Sequence, residues 1–146
     1  MSAHPEITDA EWRVMHEVWQ LENERAEPTS REIIVRLRDR IDWTDGTVKT
    51  LLHRLVEKGV LDFQRKGNRY LYRSNLSENQ SVDQLCGQLL HSVFEGQPIP
   101  MLRYLIHSCR LSGREVDQLR DTLKELRQSL PPQAPRVVET ESRDAA

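Results

Sequence analysis

The sequence predicts a mainly α-helical fold with one small β-hairpin. Apolar residues recur at helical spacing through most of the chain, and a single pair of short alternating segments flanks Gly67 and Asn68. This hairpin follows the third helical segment, which is the order of a winged helix-turn-helix domain, and further helical segments come after it. We therefore predict a winged helix-turn-helix domain at 1–75, a helical domain at 76–130 and a polar, Pro-rich disordered tail at 131–146.

The composition is that of a small soluble chain. Its 146 residues carry a net charge of −2, with 30% charged and 37% hydrophobic residues, and this length excludes a multi-domain enzyme. No apolar run approaches the roughly 18–20 residues of a membrane span, and residues 1–9 lack the features of a secretory signal. Cys86 and Cys109 are too few for a disulfide scaffold. We expect a cytoplasmic protein with reduced thiols and no membrane partner.

Two capping signals open the first two helices. Thr8 stands three residues before Glu11, and Thr29 stands three residues before Glu32. This is the spacing of a capping box, in which each side chain satisfies a free amide of the first turn. Apolar residues then follow at helical spacing, namely Trp12, Met15 and Trp19 in the first helix and Ile33, Ile34, Leu37 and Ile41 in the second. We interpret the three tryptophans, Trp12, Trp19 and Trp43, as core residues that pack the helices together.

The third helix has one apolar and one polar face. Thr44 is its predicted N-cap, and Lys58-Gly59 ends it. Val48, Leu51, Leu52 and Leu55 form the apolar face. The opposite face carries Thr47, Thr50 and Arg54, with Gly46 and His53 beside them and Lys49 on the other flank. The third helix therefore presents a small, polar and partly basic surface.

The hairpin and its surroundings are basic. We predict strands at 61–65 and 70–73, joined by a turn at 66–69 in which Gly67 and Asn68 can adopt positive φ. The turn region carries four potential phosphate contacts, Arg65, Lys66, Asn68 and Arg69. Residues 44–73 have a net charge of +4, whereas the rest of the chain sums to −6. A basic segment in an acidic chain indicates a partner that is a polyanion.

The segments after residue 75 are amphipathic helices. Apolar residues line a helix that starts after Asn75, Gly96-Gln97-Pro98 interrupts it, and a short apolar helix covers 101–106. Apolar residues of the last helix alternate in steps of three and four, which is the seam that pairs helices. The predicted dimerisation residues are Leu89, Val93, Leu102, Leu105, Val116, Leu119, Leu123 and Leu126.

These patterns favour binding to double-stranded DNA. A helix with a narrow polar face fits the major groove, where hydroxyls and guanidinium groups read base edges, and a basic hairpin beside it can contact phosphates. The predicted DNA contacts are Thr47, Lys49, Thr50, His53, Arg54, Arg65, Lys66, Asn68 and Arg69. The alternatives are a three-helix bundle with an incidental hairpin and a module whose hairpin and third helix bind an acidic protein. No hydrolase or nucleotide-binding motif occurs, so we expect no catalytic residue and no cofactor.

Four blocks of the sequence form a recognisable set, at 7–19, 43–55, 60–72 and 101–126. The first contains Trp-x-Val-Met-x-x-Val-Trp and the second Thr-Val-Lys-Thr-Leu-Leu-x-Arg-Leu. These blocks resemble the penicillinase-repressor (BlaI/MecI/CopY) family, which also holds the methicillin-resistance and copper-operon repressors. The resemblance implies a homodimeric repressor of a promoter palindrome. The family's DNA-facing positions correspond here to Gly46, Thr47, Lys49, Thr50 and Arg54, and Gly46 departs from the Lys that often stands there.

The resemblance also bears on regulation. It implies a β-lactam-resistance type of regulon and cleavage of the repressor by a sensor protease. The candidate cleavage pair is Tyr104-Leu105, where the family often has Asn-Phe. The copper-type members carry C-terminal Cys-x-Cys pairs, and residues 131–146 contain no cysteine. A metal- or redox-responsive repressor is the alternative, but its ligands would be Cys86, His91, His107 and Cys109, whose spacing is atypical, and we expect no metal site.

Overall fold

The computed structural model describes residues 5–132, which form six helices and one hairpin. The mainly α-helical fold class with a single antiparallel hairpin is confirmed. The chain divides into two compact units between Val93 and Phe94. The elements are α1 (Asp9–Asn23), α2 (Ser30–Arg38), α3 (Asp45–Glu57), β1 (Leu61–Lys66), β2 (Arg69–Ser74), α4 (Glu78–Phe94), α5 (Pro98–Ser108) and α6 (Gly113–Ser129).

Side-chain caps set the first turns of the N-terminal helices. Thr8 and Glu11 form the predicted capping box at the start of α1. Thr29 caps α2 by accepting a hydrogen bond from the Glu32 amide at 3.1 Å. The predicted second capping box is wrong, however, because the Glu32 carboxylate turns forward to Arg36 Nε at 3.3 Å instead of back to the Thr29 amide. Thr44 caps α3 as predicted, through the Thr47 amide.

The core of the first unit lies where α1, α2 and α3 meet the start of the hairpin. Its fully buried side chains are Val14, Met15, Val18, Leu21, Ile33, Leu52, Leu55, Val60 and Leu61. Trp19 is buried among them, and its indole Nε1 donates a hydrogen bond to the Leu76 carbonyl at 2.9 Å. Trp12 and Trp43 are half-buried and pack against the same core. Trp19 is therefore a core residue, as predicted, whereas Trp12 and Trp43 pack at the edge of the core.

Buried carboxylates tie the helices to one another. Glu11 of α1 is almost fully buried and accepts two hydrogen bonds from Lys58 Nζ, at 2.7 and 2.9 Å, just beyond α3. Glu17 is also buried and pairs with Arg40 at 3.2 Å. A buried charge is costly without a partner. These contacts therefore fix α1 against the segments on either side of α3.

The hairpin is longer than predicted by one residue at the turn-facing end of each strand and by one more at the end of β2. Lys66 pairs with Arg69, so the turn consists of Gly67 and Asn68 alone. Gly67 has φ +63°, whereas Asn68 keeps a negative φ. Glycine at the first of two central residues is typical of a type II′ turn, which matches the twist of the strands. The Tyr72 amide donates to the Pro28 carbonyl at 2.9 Å, which attaches the hairpin to the segment before α2.

The second unit contains α5 and α6. Pro98 occupies the first turn of α5, where its missing amide hydrogen leaves no helical bond unmade. Ser112 and Glu115 form a capping box at the start of α6. The functional division at 1–75 and 76–130 stays a prediction, and the two compact units meet between Val93 and Phe94. Apart from Pro131 and Pro132, the predicted tail lies outside the described residues.

Within residues 5–132, every helix falls short of the length and hydrophobicity of a membrane span.

Candidate nucleic-acid interface

The two faces of α3 are divided as the sequence predicts. Val48, Leu51, Leu52 and Leu55 are buried in the core. The five predicted DNA contacts on this helix are all exposed, namely Thr47, Lys49, Thr50, His53 and Arg54. The Glu11–Lys58 pair holds the C-terminal end of α3 to α1. The core therefore presents the polar face of α3 to solvent.

The threonine hydroxyls on this face are engaged within the helix. Thr50 Oγ1 donates to the Gly46 carbonyl at 2.9 Å. Thr47 Oγ1 lies 3.0 Å from Thr44 Oγ1, the oxygen that also caps the helix. Because the single hydroxyl hydrogen of Thr50 is already used, this side chain offers a ligand an acceptor lone pair and a methyl group. Lys49 and Arg54 add charged hydrogen-bond donors to the same face.

The basic side chains of α3 differ in how free they are. Lys49 and Arg54 form no hydrogen bond or ion pair with any described residue. His53 Nε2 lies 3.1 Å from Glu57 Oε1, one turn further along the same exposed face. Lys49 and Arg54 are therefore the α3 cations that can bind a phosphate or base without first breaking a contact.

The hairpin cations differ in the same way. Lys66 Nζ lies 3.0 Å from Glu27 Oε1, in the loop between α1 and α2. Arg65 Nε donates to the Gly67 carbonyl across the turn at 3.2 Å. Asn68 and Arg69 are exposed and have no such partner among residues 5–132. The structure thus places all four predicted hairpin contacts at the tip, where Lys66 is held by a distant carboxylate and Arg65 by a carbonyl of the turn.

An aromatic groove lies between the hairpin and α3. Phe63, Tyr70 and Tyr72 share one face of the hairpin and line this groove with His53 and Val56. The Phe63 and Tyr70 rings meet edge to face with centroids 5.5 Å apart. Burial, with a smaller contribution from Tyr70, raises the pKa of the Tyr72 hydroxyl above its ordinary value. Tyr72 is therefore neutral under physiological conditions, and the groove wall adds no negative charge beside the basic face.

Two carboxylates belong to this surface that sequence reasoning missed. Glu27 holds Lys66, and Asp45 accepts two hydrogen bonds from Arg38 Nη2 at 2.8 and 3.0 Å. Neither pair has a sequence signal, because the partners are separated by loops and do not share a helix. The outward spacing of the cations predicts the surface, whereas the Glu27–Lys66 and Arg38–Asp45 pairs appear only in three dimensions.

The predicted dimerisation residues expose much apolar surface in the single chain. They are Leu89, Val93, Leu102, Leu105, Val116, Leu119, Leu123 and Leu126, all of them exposed. Tyr104 and Leu105, the candidate cleavage pair, lie within α5 and are exposed as well.

Cys86 and Cys109 are free and exposed thiols. In the described part of the chain, no three His, Cys, Asp or Glu side chains converge as metal ligands would.

Comparison with known proteins identifies similar sequences along most of the chain. The family model described as penicillinase repressor matches residues 7–125. A 16.5 kDa protein from the ptsI 3′ region of Latilactobacillus sakei is 34% identical over 118 residues, covering 81% of this chain and 78% of that protein. The penicillinase repressor of Bacillus licheniformis is 28% identical over 125 residues, covering 86% of this chain and 94% of that repressor. The methicillin resistance regulatory protein MecI of Staphylococcus aureus N315 is 26% identical over 118 residues, covering 81% and 93%.

Among solved structures, the monomeric form of Bacillus licheniformis BlaI in complex with the blaP half-operator is 31% identical. The matched region covers 55% of this chain and 93% of that BlaI chain, with a TM-score of 0.45. The solution structure of the DNA-binding domain of BlaI has the same identity and coverage, with a TM-score of 0.46.

Proposed function

The chain belongs to the penicillinase repressor family, and we propose that it is a transcriptional repressor that binds double-stranded DNA at a promoter operator. The family is one of repressors rather than enzymes. One observation carries the proposal: Lys49 and Arg54 extend without partners among the described residues from the exposed face of α3, beside a basic hairpin. Cationic side chains on a helix and an adjacent hairpin suit base edges in the major groove and flanking phosphates.

The repressor is proposed to act as a homodimer on a two-fold symmetric operator. One such domain makes few contacts, and linking two converts the second contact into an intramolecular one, which raises affinity about 10²–10⁴-fold. The exposed apolar residues of α6 support the dimer, since a second chain would remove them from water. The mechanism is steric, because a dimer seated on the promoter excludes the polymerase. We place this activity in the cytoplasm, where the operator is.

Repression is proposed to end through loss of the dimer. A sensor protease that cuts at Tyr104-Leu105 would sever α5. The cut would separate α6 from the DNA-reading unit, which is the unit that ends at Val93 and holds α3 and the hairpin. Because both residues are helical, such a protease must first unfold part of α5 to reach the bond. A β-lactam-resistance type of regulon is the expected setting, and the sensor protease is the expected partner besides DNA.

Selection of the full chain on random duplexes tests this function. We expect an enriched sequence with two-fold symmetry, bound with an affinity that falls steeply as salt rises. The double variant Lys49→Gln, Arg54→Gln should lose that selectivity. Arg13→Gln, Arg110→Gln is the matched control, because it removes the same charge elsewhere on the surface. Failure to enrich any duplex, together with salt-sensitive binding to an acidic polypeptide, would favour a protein-interaction module instead.

A further inference from the structure

We infer that Arg38 is a positioning residue for DNA binding: it holds the carboxylate of Asp45 and thereby leaves Lys49 free to contact the duplex. This inference rests on the proposed function. Arg38 is the last residue of α2, and Asp45 is the first residue of α3. One guanidinium nitrogen of Arg38 donates to both carboxylate oxygens, at 2.8 and 3.0 Å, so the contact bridges the turn between the two helices.

Lys49 is the competitor for this carboxylate. Asp45 and Lys49 stand four residues apart in α3 with the acidic residue on the N-terminal side, which is a favourable arrangement for a helical ion pair. Lys49 nevertheless has no ion pair or hydrogen bond within residues 5–132, since Asp45 faces Arg38. If Arg38 were neutral, Asp45 would have Lys49 as its nearest partner on the same helix.

The position of Asp45 makes its charge consequential. The helix dipole stabilises a carboxylate in the first turn of α3. Helix-turn-helix proteins, however, contact base edges with the N-terminal residues of their recognition helix, to which α3 corresponds here. Without Arg38, the Asp45 carboxylate would repel phosphates, and it would draw Lys49 away from them. Arg38 removes both effects with a single contact.

A purely structural role for Arg38 would have a different signature. The side chains of Arg38 and Asp45 are 59% and 51% exposed, and ion pairs at such exposure contribute little to folding. We therefore expect Arg38→Gln to leave the unfolding temperature almost unchanged while it weakens DNA binding. Binding and unfolding are measured on the same preparations to separate the two roles.

The experiment is a set of mutant cycles on the full chain, with a duplex selected from random sequences as the probe. We expect Arg38→Gln to bind about tenfold more weakly than the wild type. Adding Asp45→Asn should bring the affinity back to within about threefold of the wild type. In a Lys49→Gln background, Arg38→Gln should cost no more than about threefold, because Lys49 is no longer there to be withdrawn.

Arg36→Gln is the matched control. It removes the same charge two residues earlier in α2, where the guanidinium is held by Glu24 and Glu32. Asp45→Asn should improve binding more in the Arg38→Gln background than in the Arg36→Gln background. Equal improvement would reduce the effect to net charge and overturn the inference.

Two further results would also overturn it. If the Arg38→Gln, Asp45→Asn variant binds as weakly as Arg38→Gln, then Arg38 contacts DNA itself. If the losses of Arg38→Gln and Lys49→Gln multiply in full, then Lys49 is not the residue that Arg38 frees. A wild-type protein that selects no duplex would overturn the proposed function together with the inference, whereas selective binding without rescue would overturn the inference alone.

Discussion

Arg54 has the longest side chain on the exposed face of α3. It forms no hydrogen bond or ion pair with any described residue. If it reads a base, Arg54→Ala should cost about 1–3 kcal/mol of specific binding. Folding should be nearly unaffected, because the side chain is exposed on the face opposite Leu51 and Leu55. Binding isotherms on the selected duplex and on an unrelated duplex would measure the effect. Equal losses on both would make Arg54 a phosphate contact, and an unfolded variant would contradict its outward orientation.

The Glu27–Lys66 pair predicts that one acidic residue restrains DNA binding. Lys66 Nζ lies 3.0 Å from Glu27 Oε1, so a phosphate must displace this carboxylate. Exposed pairs of this kind are worth about 0–1 kcal/mol. We therefore expect Glu27→Gln to tighten binding by up to about fivefold on specific and random duplexes alike. Titrations at fixed salt would show the change.

Glu24→Gln is the control for that experiment. It removes the same charge from the same loop region, but Glu24 pairs with Arg36 on α2 and has no hydrogen bond or ion pair with the hairpin. The Glu27→Gln gain should exceed the Glu24→Gln gain, and it should vanish in a Lys66→Gln background. Weaker binding by Glu27→Gln would instead mean that Glu27 orients the hairpin for DNA.

At the scale of elements, the cap of α6 predicts a dependence on pH. The amide and hydroxyl of Ser112 donate to Glu115 Oε2 at 2.7 and 2.9 Å and hold the pKa of that carboxyl below its ordinary value of 4.5. A lowered pKa means that the charged form is favoured in the folded helix. Its stabilising contribution is therefore present above the ordinary pKa and is lost as the pH falls through the lowered value.

Thermal unfolding of wild type and Glu115→Gln across the acid range would measure this contribution. Glu115→Gln should be less stable at neutral pH, and the difference should shrink as the pH drops below about 4. Glu125→Gln is the control, since Glu125 lies in the same helix and has no hydrogen-bond or ion-pair partner among residues 5–132. A difference that stays constant with pH would show that the effect does not come from ionisation of Glu115.

Local signals account for most of the elements that the sequence predicts. The Thr8–Glu11 box and the Gly67 turn form as expected, because each is determined by residues within a few positions of one another. The second capping box fails because Arg36, one turn further on, takes the carboxylate of Glu32. Both helical contacts are compatible with the spacing, and in the structure Glu32 pairs with Arg36, which Glu24 also holds.

Long-range partners explain what the sequence does not predict about the candidate site. Helical spacing is enough to place Thr47, Lys49 and Arg54 on the exposed face. The contact between Lys66 and Glu27, by contrast, joins residues 39 positions apart. It depends on how the hairpin lies against the segment before α2, where Tyr72 bonds Pro28. Charge counting therefore predicts where the surface lies but overestimates how many of its cations are free.

At the scale of the whole molecule, the exposed apolar residues predict a dimer. Val93 and Leu123 are 63% and 60% exposed, and the other predicted dimerisation residues are exposed as well. Each leucine that becomes fully buried contributes about 1.5–3 kcal/mol, and the contribution repeats on both chains. A second copy would present the same apolar residues. Sedimentation of the full chain should therefore give a dimer, and a fragment ending at Val93 should lose most of the dimer affinity.

That fragment must extend beyond residue 75 to be a fair test. Leu76 is buried and its carbonyl accepts the indole hydrogen bond of Trp19, while Ser81 is buried in the same unit. A chain ending at residue 75 would lose these contacts, so its failure to dimerise would not distinguish a missing interface from an incomplete fold.

The separation of the two units predicts how repression can be switched off. A protease site introduced after Ile106, within α5, would disconnect α6 from the DNA-reading unit without changing any residue of the α3 face. Operator affinity should then fall about 10²–10⁴-fold, because the second half-site is no longer bound intramolecularly. The residual binding should match that of the fragment ending at Val93, and the melting temperature of the DNA-reading unit should be unchanged. If the cleaved protein remains a dimer and binds as tightly as before, derepression must act on the DNA-reading unit itself and not on the connection to α6.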